Sequence, residues 1–289
     1  MGKYSSLKKN LNNYQKIAIC SHDAGGAEVI SSMIKKIKKK YFFSLSGPAW
    51  NIFKKKIKKL KNTSLRLSID NSQLLITSAS IRSNIELKAI KYAKKKNKKT
   101  ISVLDNWSRY KERFLLKNSL ILPDELWALD NDAFNISKKF FPKIKIKIFK
   151  NFYLSQIKKI KNLKNKKILF VSNNYDDFYK KKNVDLRILR KYVKFLTNNK
   201  LINSDKILYI KPHPSEKNNK YKNLKLGNMG IKIIYNKELF QIMRHFGVVA
   251  GNQSMALVAA KLSGLRTICI KRNKKEINTI PERYIDQYI

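Results

Sequence analysis

Two of the chain's three histidines stand beside groups that can move protons or hold anions. His22 and Asp23 lie in Ser21-His22-Asp23-Ala24-Gly25-Gly26-Ala27-Glu28, directly after an apolar run. Gly25 and Gly26 at a helix start allow close backbone approach, and the helix N-terminus favours an anion. The segment also reads as a tight strand-to-helix turn. It is neither a GxGxxG fingerprint nor a phosphate-binding Gly-Lys-Ser/Thr loop. A second segment is Leu104-Asp105-Asn106-Trp107-Ser108-Arg109-Tyr110, followed by Glu112 and Arg113. An acid beside an aromatic ring and two arginines suits sugar or phosphate recognition. The alternative is a helix capped by Asp105 with Trp107 in the core.

A third segment is Tyr209-Ile210-Lys211-Pro212-His213-Pro214-Ser215-Glu216. The two prolines stiffen the chain and fix the imidazole between them, so that Lys211 and His213 offer donors to a phosphate. The fourth runs from Gly247 through Gly251-Asn252-Gln253-Ser254-Met255-Ala256-Leu257. A strand, a glycine turn, a serine and an alanine-rich helix make another helix N-terminus suited to phosphate. Asp130-Asn131-Asp132 has the form of a divalent-metal motif, but Asp132 also reads as a helix cap.

These residues need elements to hold them. Short apolar runs at Lys16–Cys20, Tyr41–Leu45, Leu74–Thr77, Thr100–Leu104 and Glu125–Leu129 read as strands. The pattern restarts at Lys167–Val171, Lys206–Ile210, Ile231–Tyr235, Gly247–Ala250 and Thr267–Ile270. Strands alternating with lysine-rich helical stretches predict βαβ units and parallel sheets. Ser83 and Glu86 have capping-box spacing for a helix to about Lys96. Asn236 is a candidate cap for a helix through Arg244, and Gly264 should end the helix that Ser254 begins. The expected architecture is α/β, with two Rossmann-like domains, 1–145 and 146–289, whose parallel sheets face a central cleft. A stretch at about Lys143–Lys166 joins them.

The charge is +45, from 64 Lys+Arg against 19 Asp+Glu, and only ten of the basic residues are arginine. Lysine, asparagine and isoleucine are the residues an AT-rich genome over-supplies. An anionic partner is the other source of such an excess. Mixed Ile/Lys stretches at Ile34–Lys40, Ile52–Lys61 and Ile144–Lys150 fit either solvated faces or an anionic membrane leaflet. Cys20 and Cys269 form neither a disulfide framework nor a metal spacing, which fits a reducing cytoplasm. No apolar run reaches membrane-spanning length, and no signal-peptide core is expected at the N-terminus. Met1-Gly2 with Ser6 matches the loose myristoylation pattern by chance. RNA- and DNA-binding signatures are missing, so nucleic acid is not the expected partner.

The paired α/β halves, Lys211-Pro212-His213-Pro214 and Gly251-Asn252-Gln253-Ser254-Met255-Ala256-Leu257 resemble bacterial GT-B-fold glycosyltransferases, in particular the sialyltransferase, polysialyltransferase and capsule-polysaccharide families. The CDP-glycerol transferases are similar. The architectural resemblance spans most of the chain, and the specific motifs about a dozen residues of its second half. It implies that His213 and Pro214 match the His-Pro motif and Ser254 the serine motif, both contacting the nucleotide of a CMP-sugar donor. Lys211, Asn252, Gln253 and Met255 would line the same site. Such families carry an acidic base in the first half. The Asp/Glu-Asp/Glu-Gly motif is missing here, and Asp23 or Asp105 is the substitute. His22, Gly25, Gly26, Trp107 and Arg109 would contact the substrates. A helical Glu that holds ribose in relatives is replaced by Val258, Ala259, Ala260 and Lys261.

The expected function is therefore metal-independent transfer of a sugar from a nucleotide donor to a saccharide or lipid-linked acceptor in surface polysaccharide synthesis. No cofactor is implied. The expected place is the cytoplasm, at or near the inner face of the membrane. A nucleotide-sugar epimerase or hydrolase, a metal-dependent transferase using Asp130 and Asp132, and a non-catalytic polyanion binder are the alternatives.

Overall fold

The computed structural model describes residues 11–160, 167–199, 207–216, 220–227, 229–235 and 237–289. The chain divides into two compact units, Met1–Gln156 and Ile157–Ile289. Asn236, Lys206, residues 161–166 of the joining stretch and the Met1-Gly2 pattern lie outside the described residues.

The first unit contains β1 (Lys16–Ser21), β2 (Lys40–Leu45), β3 (Leu74–Thr77), β4 (Lys99–Val103), β5 (Leu115–Leu116), β6 (Ser119–Leu120), β7 (Glu125–Ala128) and β8 (Lys145–Ile148). Six of them form a parallel sheet in the order β2-β1-β3-β4-β7-β8. β5 and β6 make a separate antiparallel pair. The residues at the expected 145/146 boundary belong to β8, which pairs with β7 from Glu125↔Lys145 to Ala128↔Ile148. Every residue of β3 and β7 is buried, as befits strands covered by helices on both faces.

The second unit contains β9 (Ile168–Val171), β10 (Ile207–Lys211), β11 (Gly230–Ile233), β12 (Val248–Gly251), β13 (Arg266–Cys269) and β14 (Gln287–Tyr288). They form a parallel sheet in the order β11-β10-β9-β12-β13-β14. Its core joins Phe170, Ile210 and Ala250 of the sheet to Ile188, Leu189 and Tyr192 of the Val184–Asn198 helix. The Met255–Leu262 helix begins at Ser254 and ends before Gly264, whose φ of +88° is left-handed backbone that glycine adopts freely.

Each sheet has one point where the strand order reverses, between β1 and β3 in the first and between β9 and β12 in the second. Ligands of open α/β sheets bind at the strand carboxyl ends beside such a point. The Ile/Lys stretches turn part of their isoleucines inward. Ile34, Ile37 and Ile146 are buried in the first unit, so the surface presents the lysines. Among the described residues, no helix is long and apolar enough to cross a membrane.

Candidate functional site

In the first unit the reversal point holds a buried polar cluster. The main chain leaves β1 at Ser21, turns through His22 and Asp23, and enters the Ala24–Ile34 helix. Asp23 occupies the N-cap position, yet its carboxylate makes no cap hydrogen bond there. Its Oδ1 lies 2.7 Å from His22 Nδ1 instead. The hydrogen bond to Asp23 raises the His22 pKa, against the opposing effect of burial. Burial pushes Asp23 up, but hydrogen bonds from His22 and Ser80 and the charge of Arg113 prevail and hold it below the usual carboxylate range. The His22 ring lies over Gly47, whose φ is +52°. A Cβ at that position would stand 2.5 Å from Nε2, so only glycine lets the ring pack there.

Asp105 enters the same cluster from the end of β4 but is buried and ion-paired. Arg113 Nη1 donates to Asp105 Oδ1 at 3.0 Å and to the Ala79 carbonyl, and its Nε donates to the Ser108 carbonyl at 3.0 Å. Burial raises the Asp105 pKa, with Arg113 opposing it. Asp105 Oδ2 packs on Gly25, where a Cβ would lie 2.0 Å from it. Gly26 packs as closely on Ser78, with 2.3 Å from its ideal Cβ to the serine Cβ. Asp105 is thus no helix cap. Trp107 is buried and donates from Nε1 to Asp130 Oδ1 and Oδ2 at 2.9 and 3.1 Å. Arg109 lies in left-handed backbone, with Nε 3.7 Å from Glu112 Oε1.

Asp130, rather than Asp132, caps the Asn131–Phe140 helix, accepting from the Ala133 amide at 2.8 Å. Its carboxylate is thereby bound to Trp107 and to the helix start. Among the described residues, no group of three or more His, Cys, Asp or Glu side chains is arranged to hold a metal ion.

In the second unit, neighbouring strands bring the predicted segments to one edge. β10 ends at Lys211, β9 leads into Ser172-Asn173-Asn174, and β12 leads into Asn252-Gln253-Ser254. The His213 amide donates to Ser172 Oγ and to Glu216 Oε2, both at 2.9 Å. Ser172 Oγ also donates to Glu216 Oε2. His213 Nδ1 lies 2.7 Å from Ser215 Oγ and 3.2 Å from the Ser215 amide nitrogen. Pro212 is buried and Pro214 exposed, so the first proline anchors the turn.

Glu216 is held in turn by Lys220 at 2.7 Å and Tyr221 at 3.1 Å, and Lys220 also pairs with Asp185 and Asp176. Those carboxylates outweigh burial and raise the Lys220 pKa, keeping the ammonium charged.

The side chains of Asn252 and Gln253 are engaged within the unit. Asn252 Nδ2 donates to the Ile270 carbonyl at 2.7 Å and to Glu276 Oε2 at 2.9 Å. Gln253, at φ +43°, accepts from the Thr279 and Ile280 amides at 3.0 and 3.2 Å. Asn173 Nδ2 donates to the Asn252 carbonyl and so ties together the exits of β9 and β12. Ser254 Oγ caps its helix at the Ala256 amide, 3.3 Å away, and Met255 is the first helical residue.

Strand-exit reasoning picked out His22, Asp23, Asp105, His213 and Ser254, and the structure places each of them just after a strand. That reasoning missed Ser78, Ser80, Glu86, Ser172, Asn174, Glu216 and Lys220 as parts of the clusters. Thr77-Ser78-Ala79-Ser80 and Ser172-Asn173-Asn174 follow strands just as the chosen segments do, so the same rule could have found them. Glu86 was expected to close a capping box on Ser83. Instead the helix starts at Ile85, and the Glu86 carboxyl turns inward to accept from the His22 amide at 2.9 Å.

No protein-family model matches the sequence, and no curated protein matches it. Solved structures do. The UDP-GlcNAc 2-epimerase from Methanocaldococcus jannaschii aligns over 90% of this chain and 85% of that chain, at 15% identity and a TM-score of 0.58. A co-structure of S. aureus MnaA with UDP aligns over 93% and 86%, at 10% identity and a TM-score of 0.64. The glycotransferase of kitacinnamycin aligns over 95% and 86%, at 12% identity and a TM-score of 0.52. Likeness at these identities is likeness of fold. The chain folds as two parallel-sheet α/β domains of the GT-B-like kind seen in these sugar-nucleotide epimerases and glycosyltransferases.

Proposed function

We propose that the chain is a metal-independent glycosyltransferase that takes a sugar from a nucleotide donor and passes it to a saccharide or lipid-linked acceptor. One observation carries the reading. The strand exits of the second unit gather groups suited to an anion, and those of the first gather a histidine oriented by a carboxylate. Lys211, His213 and the N-terminus of the Met255–Leu262 helix stabilise the negative charge that grows on the departing phosphate. His22, held by Asp23 through Nδ1, accepts the acceptor hydroxyl proton at Nε2 as the sugar transfers. Asp105 is the poorer base of the two aspartates because Arg113 holds it in a buried ion pair. Its role is to shape the helix entry at Gly25.

The motif resemblance favours a CMP-sugar. The likeness to the MnaA–UDP co-structure makes UDP the nucleotide to test beside it. A second reading, a nucleotide-sugar epimerase, is favoured by the likeness to the Methanocaldococcus jannaschii UDP-GlcNAc 2-epimerase. It uses the same nucleotide site and releases an epimer without any acceptor.

Thermal shift with CMP, CDP, UDP and GDP, on wild type and His213→Ala, tests the common ground of both readings. A nucleotide at 100 times its Kd stabilises the protein by about 2.7 kcal/mol. The expected result is a shift for one pyrimidine nucleotide that is lost in the variant. No shift for any nucleotide in the folded protein overturns both readings. Turnover of the matching nucleotide-sugar then separates them. Product that forms only with an acceptor supports transfer, and an epimer formed without one supports the second reading.

A further inference from the structure

Glu86 is the most deeply buried carboxyl of the first unit's cluster, at 1% exposed. Its Oε1 accepts from the His22 amide at 2.9 Å and from Ser78 Oγ at 2.8 Å. Ser78 Oγ is in turn 2.8 Å from Ser21 Oγ. Glu86 Oε2 is buried with no hydrogen-bond partner. A buried carboxyl with one oxygen unsatisfied destabilises the fold unless something else is gained. Its place explains the gain, because it lies directly under the turn that carries the His22–Asp23 pair.

We propose that Glu86 is a positioning residue for that pair, fixing the turn through the His22 amide and setting by its own charge how strongly His22 holds a proton. The inference rests on the reading of His22 as the base. The charged and titratable groups around Glu86 and the pair are few. Cys20 comes from β1, Asp23 from the turn itself, Arg82 from the loop before the Ile85–Lys95 helix, and Asp105 with Arg113 from the exit of β4. Burial raises Glu86 to about 7, against the hydrogen bond from Ser78. It therefore changes charge near neutral pH. Each negative charge on Glu86 favours the imidazolium, and a proton on Glu86 relaxes that hold. On this proposal the two groups titrate as a coupled pair in two macroscopic steps.

The test follows the imidazole resonances of the full-length protein against pH by NMR. Only three histidines contribute, and His213→Gln and His245→Gln variants identify the His22 signal. In wild type the His22 curve should be broadened over two steps. Glu86→Gln keeps the Oε1 acceptor for the His22 amide and removes the charge. Its His22 curve should collapse to one step with a midpoint at lower pH. Ser78→Ala removes a donor that favours ionised Glu86, so it should lower the midpoint in the same direction by less. A His22 curve unchanged in both variants overturns the proposal. The readout needs no substrate, so a failure of nucleotide binding and a failure of this inference are separate results.

Discussion

His22→Ala is expected to lower the rate of sugar transfer by about 10²–10⁴-fold, the usual contribution of a positioned general base. Nucleotide affinity, which the proposed function assigns to the second unit, should be unchanged. Asp23→Asn should lose a comparable factor, since an amide that donates to Nδ1 leaves the ring proton on Nε2 and no longer balances an imidazolium. The pH profile gives the sign. A base must be neutral to accept a proton, and the hydrogen bond to Asp23 raises the His22 pKa. Wild-type kcat/KM should therefore fall as pH drops through that raised value. In Asp23→Asn the acid limb should move to lower pH while the plateau falls. Steady-state kinetics across pH with the matching donor checks both effects. A His22→Ala enzyme at wild-type rate removes the imidazole from the mechanism and returns the role of base to a carboxylate.

All ten expected strands exist, none displaced by more than two residues at either end. They were legible because parallel strands buried on both faces leave continuous apolar runs such as Leu74–Thr77 and Glu125–Ala128. β8 was not legible. Its Lys-Ile-Lys-Ile alternation belongs to an edge strand buried on one face, and in so basic a chain that pattern resembles a linker or a surface stretch. The same masking hid which way the Ile/Lys stretches face. At the site, the residues on the main line of each strand exit could be read, but their partners could not. Arg113 reaches Asp105 across one short helix, Glu86 reaches His22 from a helix 64 residues later, and Ser172 meets Glu216 at a separation of 44. Glu86 shows the limit most clearly. Its spacing from Ser83 fits a cap, and only the packing of its helix against β1 and β3 turns the carboxyl inward.

Arg113→Ala should produce the largest loss of stability in the first unit, about 3–5 kcal/mol, because it leaves Asp105 buried without its counter-ion. The guanidinium is 7% exposed and also serves the carbonyls of Ala79 and Ser108, so the change removes three hydrogen bonds together with the charge. Asp23 lies close enough to raise the Asp105 pKa, so the unpaired carboxylate would also face a like charge. All three tryptophans, Trp50, Trp107 and Trp127, belong to Met1–Gln156, so denaturant unfolding followed by tryptophan fluorescence reports this unit alone. The cost should depend on pH with a definite sign. Burial raises the Asp105 pKa and Arg113 opposes the rise, so removing Arg113 lifts it further. At neutral pH the variant must keep a buried charge or take up a proton to neutralise it. As pH falls, Asp105 is neutral in the variant and its pairing with Arg113 is lost in wild type. The two stability curves should therefore converge in acid. A double variant, Arg113→Met with Asp105→Leu, should recover much of the loss, since an apolar pair of similar volume replaces a buried ion pair at little cost. What it does not recover measures the Ala79 and Ser108 carbonyls left without a donor. If the single variant unfolds like wild type at neutral pH, the Asp105 carboxylate is not held charged in the folded unit, and its exclusion as the base loses its main support.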